Sequence, residues 1–195
     1  MSSFIFMGPP GVGKGTQRKM FIDKYSSCGS IVPGDLLRAE IKNETQIGKK
    51  LKSILAQGSL APHEIVMDVV AKTLALLQNQ GVKNIIFDGF PREMEQALAL
   101  NTLLQQYPEY EIKKVLLFTT SDDEVFKRIR HRATIESRDD DKDENVVRKR
   151  LAVFSTTTSQ VVDYYRNANI LQEIEATKGI EDVFENVDML LSPFV

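Results

Sequence analysis

Residues 4–7 (Phe-Ile-Phe-Met) run directly into residues 8–16 (Gly-Pro-Pro-Gly-Val-Gly-Lys-Gly-Thr). A short apolar strand followed by a glycine-rich turn and a lysine is the pattern of a phosphate-binding loop. The glycines let several backbone N–H groups face one anion, and the positive end of the following helix adds to the attraction. Lys14 would reach the outer phosphates. The stretch predicts a nucleoside triphosphate site; the alternative is a glycine-rich turn that binds nothing.

Size and composition are those of a single domain over residues 1–195, with 42% hydrophobic residues to form its core. The net charge of -2 gives no reason to expect nucleic acid or an anionic membrane as a partner. No apolar run is long enough for a signal peptide or a membrane span, so we expect a cytoplasmic protein. Cys28 is the only cysteine, and we expect a buried thiol rather than a redox group. No coiled-coil pattern demands an oligomer, so we expect a monomer.

Apolar runs alternate with helical patterns along the chain. The expected strands lie at residues 4–7, 30–32, 85–87, 115–118 and 170–171, and the expected helices at 14–25, 93–106, 122–132 and 180–191. Continuous apolar strands joined by helices predict an α/β fold of three layers, in which a parallel sheet is flanked by helices. Ligands of such sheets bind at the carboxyl ends of the strands.

Two regions interrupt this alternation. Residues 35–79 form three helical patterns in succession, at 35–43, 46–57 and 63–78, which predicts a helical lobe inserted between strands. Residues 132–144 are polar and have no apolar face, so they must be solvated unless they close over a ligand. We expect the acidic run 139–144 to be solvated and to begin a helix, not to bind a metal.

Arginines cluster near the expected cleft. A site for phosphoryl transfer must neutralise several phosphate charges, and the planar fork of arginine suits phosphate oxygens. Each of these side chains taken alone is more often a solvated charge, so the prediction rests on their joint placement. The candidates are Arg38, Arg92, Arg128, Arg132, Arg138 and Arg150.

Asp88 ends the apolar run at residues 85–87, beside the phosphate-binding loop. A carboxylate there can hold Mg²⁺ through water, although such a residue can also be a helix cap or turn residue. Neither histidine, His63 or His131, forms a nucleophile–base arrangement, and we expect both at the surface. Phosphoryl transfer needs no such nucleophile–base arrangement, because it depends on positioning and charge stabilisation.

Together these motifs resemble those of the adenylate kinase family, a branch of the nucleoside monophosphate kinases. The resemblance covers essentially the whole chain. It rests on the phosphate loop at 8–16, on Gly-Asp-Leu-Leu-Arg at 34–38, on Asp-Gly-Phe-Pro-Arg at 88–92 with Gln96 beyond, and on Arg-Asp-Asp-Asp at 138–141 with Arg-Lys-Arg-Leu at 148–151.

The resemblance implies transfer of the terminal phosphoryl group of ATP to AMP, giving two ADP, with Mg²⁺. It implies a monophosphate-binding lobe at residues 31–62 and a short lid at 132–142. The implied ATP-binding residues are Gly11, Val12, Gly13, Lys14, Gly15, Thr16, Arg128 and Arg132. The implied AMP-binding residues are Pro33, Arg38, Ala61, Gly89, Arg92, Gln96, Arg138 and Arg150. Lys14 and the arginines at 92, 128, 132, 138 and 150 are implied to be catalytic, and Asp88 to hold Mg²⁺ through water.

The acceptor pocket departs from the family pattern. Pro33 replaces a threonine whose hydroxyl helps to recognise adenine, and Ala61 replaces a valine. Gln96 still matches an AMP-specific pocket. Two alternatives therefore stay open: a kinase whose acceptor is CMP or UMP, and a nucleotide-binding partner protein with weak catalysis.

Overall fold

The computed structural model describes residues 1–136 and 139–195. Five strands form one sheet: β1 (Ser2–Met7), β2 (Cys28–Ile31), β3 (Asn84–Asp88), β4 (Ile112–Thr119) and β5 (Leu171–Glu175). Their order is β2-β3-β1-β4-β5, and every neighbouring pair is parallel. The register pairs Phe6 with Asp88, so the carboxyl ends of the two central strands meet at one edge of the sheet.

The helices of the described residues are α1 (Lys14–Lys24), α2 (Pro33–Lys42), α3 (Gln46–Ala56), α4 (His63–Asn79), α5 (Met94–Leu104), α6 (Asp122–Glu136), α7 (Glu144–Val153), α8 (Ser159–Asn167) and α9 (Ile180–Leu191). Short 3-10 turns lie at Asp139–Asp141 and Ser192–Phe194, and a π-helical turn at Phe154–Thr158 joins α7 to α8. In the described part of the chain no helix is long and apolar enough to span a membrane.

The two faces of the sheet are covered by different helices. Along β1, Phe4 and Phe6 pack into a cluster with residues of α1 and α9, whereas Ile5 and Met7 pack into a second cluster with residues of α2 to α5 and α8. All six residues of β1 are buried, as expected when side chains alternate between two covered faces. The predicted three-layer α/β fold is confirmed.

The predicted strands all exist, and the three helices between β2 and β3 begin and end within two residues of their expected bounds. The acidic run 139–144 was expected to begin a helix, and α7 does begin at Glu144; the sequence predicted neither the end of that helix nor the π-turn and α8 that follow it. Residues 155–159 read Ser-Thr-Thr-Thr-Ser, a polar cluster typical of a loop. Packing of Val161, Val162 and Tyr165 into the core stabilises the helix despite that composition.

Candidate functional site

The loop between β1 and α1 needs its glycines. Gly8, Gly11 and Gly13 have φ of +142°, +80° and +110°, where other residues are strained. A Cβ on Gly8 would lie 2.5 Å from the carbonyl oxygen of Phe118, so the loop also packs closely against β4. The loop therefore curls directly in front of the first turn of α1, which begins at Lys14.

Lys14 folds back over this loop. Its Nζ donates hydrogen bonds to the carbonyl oxygens of Gly8 at 2.8 Å and Pro9 at 2.9 Å. Burial lowers the pKa of Lys14 from 10.5 to about 7, although the carboxylate of Asp88 acts in the opposite direction. A phosphate chain placed here would supply the negative charge that a buried ammonium requires.

A cleft of about 1260 Å³ opens at the carboxyl edge of the sheet. It is lined by all the predicted ATP-binding residues and by the predicted phosphate-binding arginines of the described chain. The lining includes Gly11, Val12, Gly13, Lys14, Gly15, Thr16, Arg38, Asp88, Arg92, Arg128, Arg132 and Arg150. Arg138 lies outside the described residues.

A smaller pocket of about 80 Å³ adjoins the cleft, between α2, the segment after α3, and the segment after β3. It brings together all the predicted AMP-binding residues of the described chain: Pro33, Arg38, Ala61, Gly89, Arg92, Gln96 and Arg150. Arg38, Arg92 and Arg150 line both spaces. The two spaces are therefore joined at a boundary of positive side chains.

Gln96 is only 2% exposed. Its Oε1 accepts a hydrogen bond from the backbone N–H of Arg92 at 2.9 Å, and its Nε2 donates to Glu93 at 3.1 Å. Arg92 in turn donates from Nε to the carbonyl oxygen of Gly89 at 2.7 Å. Gln96 thus fixes the segment that carries Arg92.

The expectation that residues 139–144 are simply solvated is wrong for Asp141, which is 5% exposed. Its carboxylate accepts two hydrogen bonds from Arg132, at 2.7 and 2.8 Å, and one from Arg150 at 2.7 Å. Burial alone would raise the pKa of the Asp141 carboxyl, but the arginines hold that pKa below its ordinary value. Asp140 also pairs with Arg150, at 3.1 Å. These carboxylates hold two arginines that face the cleft.

Arg128 braces the phosphate-binding loop. Its guanidinium donates to the carbonyl oxygens of Val12 at 2.9 Å and Ala176 at 2.7 Å, and its Nε donates to Glu124 at 2.8 Å. The side chain thus connects α6, the loop and the segment after β5. Arg128 and Arg132 lie one helical turn apart on α6, as their spacing predicts.

Asp88 is paired with a residue that the sequence analysis missed. The Nε of Arg18 lies 3.0 Å from Asp88 Oδ2, and Arg18 Nη1 donates to Ser30 Oγ at 2.8 Å. Burial raises the pKa of Asp88, while the charges of Lys14 and Arg18 oppose that rise. Arg18 follows Lys14 by one helical turn, a spacing that could have identified it.

A divalent metal fits beside Asp88. The carboxylate supplies a hard oxygen, and its Oδ2 lies 3.9 Å from the Cβ position of Gly15 in the first turn of α1. Mg²⁺ commonly takes one or two protein carboxylates and completes its shell with water and phosphate oxygens. The residues present therefore suit a metal that arrives with the nucleotide.

The fold and the site together define a nucleotide kinase with a phosphate-binding loop. The model of the family "Adenylate kinase" matches residues 6–170. The chain is 36% identical to adenylate kinase of Bacteroides fragilis over 96% of both chains. It is 35% identical to that of Archaeoglobus fulgidus over 97% of both, and 34% identical to that of Chloroherpeton thalassium over 96% of this chain and 97% of the relative.

The chain belongs to the adenylate kinase family. The predicted enzyme, which transfers a phosphoryl group from ATP to AMP and yields two ADP, is confirmed. This result favours AMP over a pyrimidine acceptor and an enzyme over a binding protein. The phosphoryl transfer of this family requires a divalent metal.

Proposed function

We propose that the large cleft binds ATP, that the small pocket binds AMP, and that the phosphoryl group passes between them at their shared boundary. The observation that carries this proposal is that Arg38, Arg92 and Arg150 line both spaces. A site that bound a single nucleotide would have no need of a second pocket lined by arginines.

On the donor side, the N–H groups of residues 11–16 and Lys14 bind the ATP phosphates, assisted by Arg128 and Arg132. The triphosphate takes Lys14 from the loop carbonyls and restores its charge, because anionic oxygens favour the ammonium form. Asp88 holds Mg²⁺ through water. When bound, that ion neutralises charge on the donor phosphates.

On the acceptor side, Arg38 and Arg92 bind the phosphate of AMP, while Pro33, Ala61, Gly89 and Gln96 form the rest of the pocket. An oxygen of the AMP phosphate attacks the terminal phosphorus of ATP, and the bond from that phosphorus to the bridging oxygen breaks as ADP leaves. Arg150, with Arg138 as a predicted neighbour, stabilises the charge that develops between the two nucleotides.

Residues 31–62 act as the acceptor lobe, and residues 132–142 as a short lid whose closure excludes water. The alignment with the Archaeoglobus relative spans 216 positions, more than the 195 residues of this chain. That relative therefore contains segments that this chain lacks, and the short form of the lid stays a prediction. The monomeric state and the cytoplasmic location stay predictions.

Substitution of the two proposed phosphate ligands tests these roles. Arg92→Ala should lower turnover about 10³-fold and raise the KM for AMP, while the KM for ATP stays near that of the unsubstituted enzyme. Lys14→Ala should lower turnover by orders of magnitude and weaken ATP binding. Arg148→Ala and Lys72→Ala remove side chains that are 63% and 73% exposed and serve as controls. Near-normal rates for Arg92→Ala and Lys14→Ala would refute the assignment.

A further inference from the structure

The helical arm formed by residues 144–167 changes its winding beside the cleft. Between α7 and α8, the N–H of Ser159 bonds to the carbonyl oxygen of Phe154, five residues earlier, which is the π-helical pattern. Such single turns are frequent at functional sites. Phe154 and Thr158, the first and last residues of this turn, both line the large cleft.

The hydroxyl groups of this turn differ in what they contact. Ser155 and Thr156 are exposed, and both donate back to the carbonyl oxygen of Ala152 in the same helix, at 3.0 and 2.8 Å. Thr158 is 5% exposed, and its Oγ1 donates to the carbonyl oxygen of Arg92 at 3.1 Å. Only the Thr158 bond, among these three, leaves the arm and reaches the acceptor pocket.

Arg92 is therefore held on both sides of its Cα. Its N–H donates to Gln96, and its carbonyl oxygen accepts from Thr158. The guanidinium then donates to Gly89 from a backbone that cannot easily rotate. A flexible arginine binds phosphate best when its Cα is fixed. The hydrogen bonds of the Arg92 N–H and carbonyl oxygen therefore help to fix the position of its guanidinium.

We propose that Thr158 is a positioning residue for the acceptor phosphate: its hydroxyl, presented by the π-turn, holds the backbone of Arg92. The inference rests on the proposed role of Arg92 in binding the AMP phosphate. The same arm carries Arg150 on α7, which lines both spaces. One continuous helical arm thus places two arginines, Arg150 through its own side chain and Arg92 through Thr158.

The test is steady-state kinetics of Thr158→Val, which keeps the branched shape and removes the hydroxyl. Loss of one partner of a buried hydrogen bond should lower kcat/KM for AMP about tenfold, while the KM for ATP stays unchanged. Thr158→Ser should restore most of that loss because it returns the donor. Thr156→Val is the matched control: it removes a hydroxyl of the same turn whose hydrogen bonds, to Ala152 and Thr157, both stay within the arm, and it should behave as the unsubstituted enzyme.

Several results would overturn the inference. These are a Thr158→Val enzyme with normal AMP kinetics, a loss shared equally by ATP and AMP, or a Thr158→Ser enzyme no better than the valine variant. Thr158→Ala, with the same predictions, replaces Thr158→Val if the valine variant does not fold. A double-mutant cycle adds a second readout. In a protein that already carries Arg92→Ala, Thr158→Val should lower kcat/KM for AMP little further.

The cycle also separates this inference from the proposed function. If Arg92→Ala leaves AMP kinetics unchanged, the acceptor assignment itself fails. If Arg92→Ala is severe and Thr158→Val is harmless, the acceptor assignment stands and only the role of Thr158 fails.

Discussion

Replacement of Lys14 by methionine should stabilise the nucleotide-free protein. Lys14 keeps a partly buried charge against two loop carbonyls, and the loss of hydration there lowers its pKa from 10.5 to about 7. Methionine has a flexible apolar side chain that can follow a similar path. The substitution removes the cost of burying the charge and also removes the group that we propose binds ATP phosphates.

The size of this effect follows from the pKa. A pKa lowered from 10.5 to about 7 corresponds to roughly 5 kcal/mol. Lys14 is only partly buried, so solvent screens part of that cost, and the carbonyl contacts that methionine loses reduce the gain further. We expect Lys14→Met to raise the free energy of unfolding by about 2 kcal/mol at pH 6.

The pH dependence has a definite sign. Below pH 7 the lysine is charged in both the folded and the unfolded chain, so the cost of burial is fully present. Between pH 7 and pH 10.5 the folded protein releases the proton that the unfolded chain keeps, and the stability of the unsubstituted protein rises. The advantage of Lys14→Met should therefore shrink over this range and vanish near its upper end.

Urea unfolding without nucleotide, from pH 6 to pH 10, measures this difference directly. Lys72→Met, at an exposed position of α4, is the control and should show no such pH dependence. Lower stability of Lys14→Met at pH 6, or a difference that does not change with pH, would refute the reasoning. ATP should stabilise the unsubstituted protein and have little effect on Lys14→Met.

Three further predictions concern other parts of the molecule. Asp141→Asn removes the buried carboxylate charge that accepts hydrogen bonds from Arg132 and Arg150, and it should lower the free energy of unfolding in urea by about 3 kcal/mol; because the pKa of this carboxyl is lowered, the loss should be constant from pH 8 to 5 and shrink below the ordinary pKa of 3.8. Pro33→Thr should lower the KM for AMP about fivefold by supplying a hydroxyl and an N–H; an unchanged KM would place Pro33 away from the base. Gly48→Ala puts a Cβ 2.0 Å from the Glu40 carbonyl oxygen, and it should lower the free energy of unfolding, measured by thermal unfolding, by about 1–3 kcal/mol. Gly179→Ala is the control: its Cβ would lie 3.2 Å from the Asp182 side chain, and the free energy of unfolding should fall much less.

The parts of the fold that local sequence specifies were predictable. β1 and the loop after it form one continuous pattern, and the glycines that the loop needs stand at positions with positive φ. The three helices between β2 and β3 are separated by residues that end helices, so their bounds followed from the sequence. Arg38 and Arg92 were predicted because they follow the Gly-Asp and Asp-Gly segments behind two strands, and Arg128 and Arg132 because their spacing places them on one helix face.

The remaining features depend on contacts between distant segments. Asp141 belongs to an acidic run that resembles a solvated segment, whereas in the structure it is buried and bonded to Arg132 and Arg150 of two different helices. The helices between residues 144 and 167 contain a π-turn with a loop-like composition. Arg18 shares a helix face with Lys14, but its pairing with Asp88, seventy residues further along the chain, is visible only in the structure.

Product formation from ATP and Mg²⁺, with AMP, CMP, UMP and GMP supplied separately, is the sharpest test of the proposed roles of the two spaces. We expect rapid ADP formation with AMP alone, and loss of that activity in Arg92→Ala but not in Arg148→Ala. A preference for CMP or UMP would contradict the assignment of the small pocket to AMP. Transfer to none of the four acceptors, with ATP still bound, would contradict both the proposed phosphoryl transfer and the proposed roles of the two spaces.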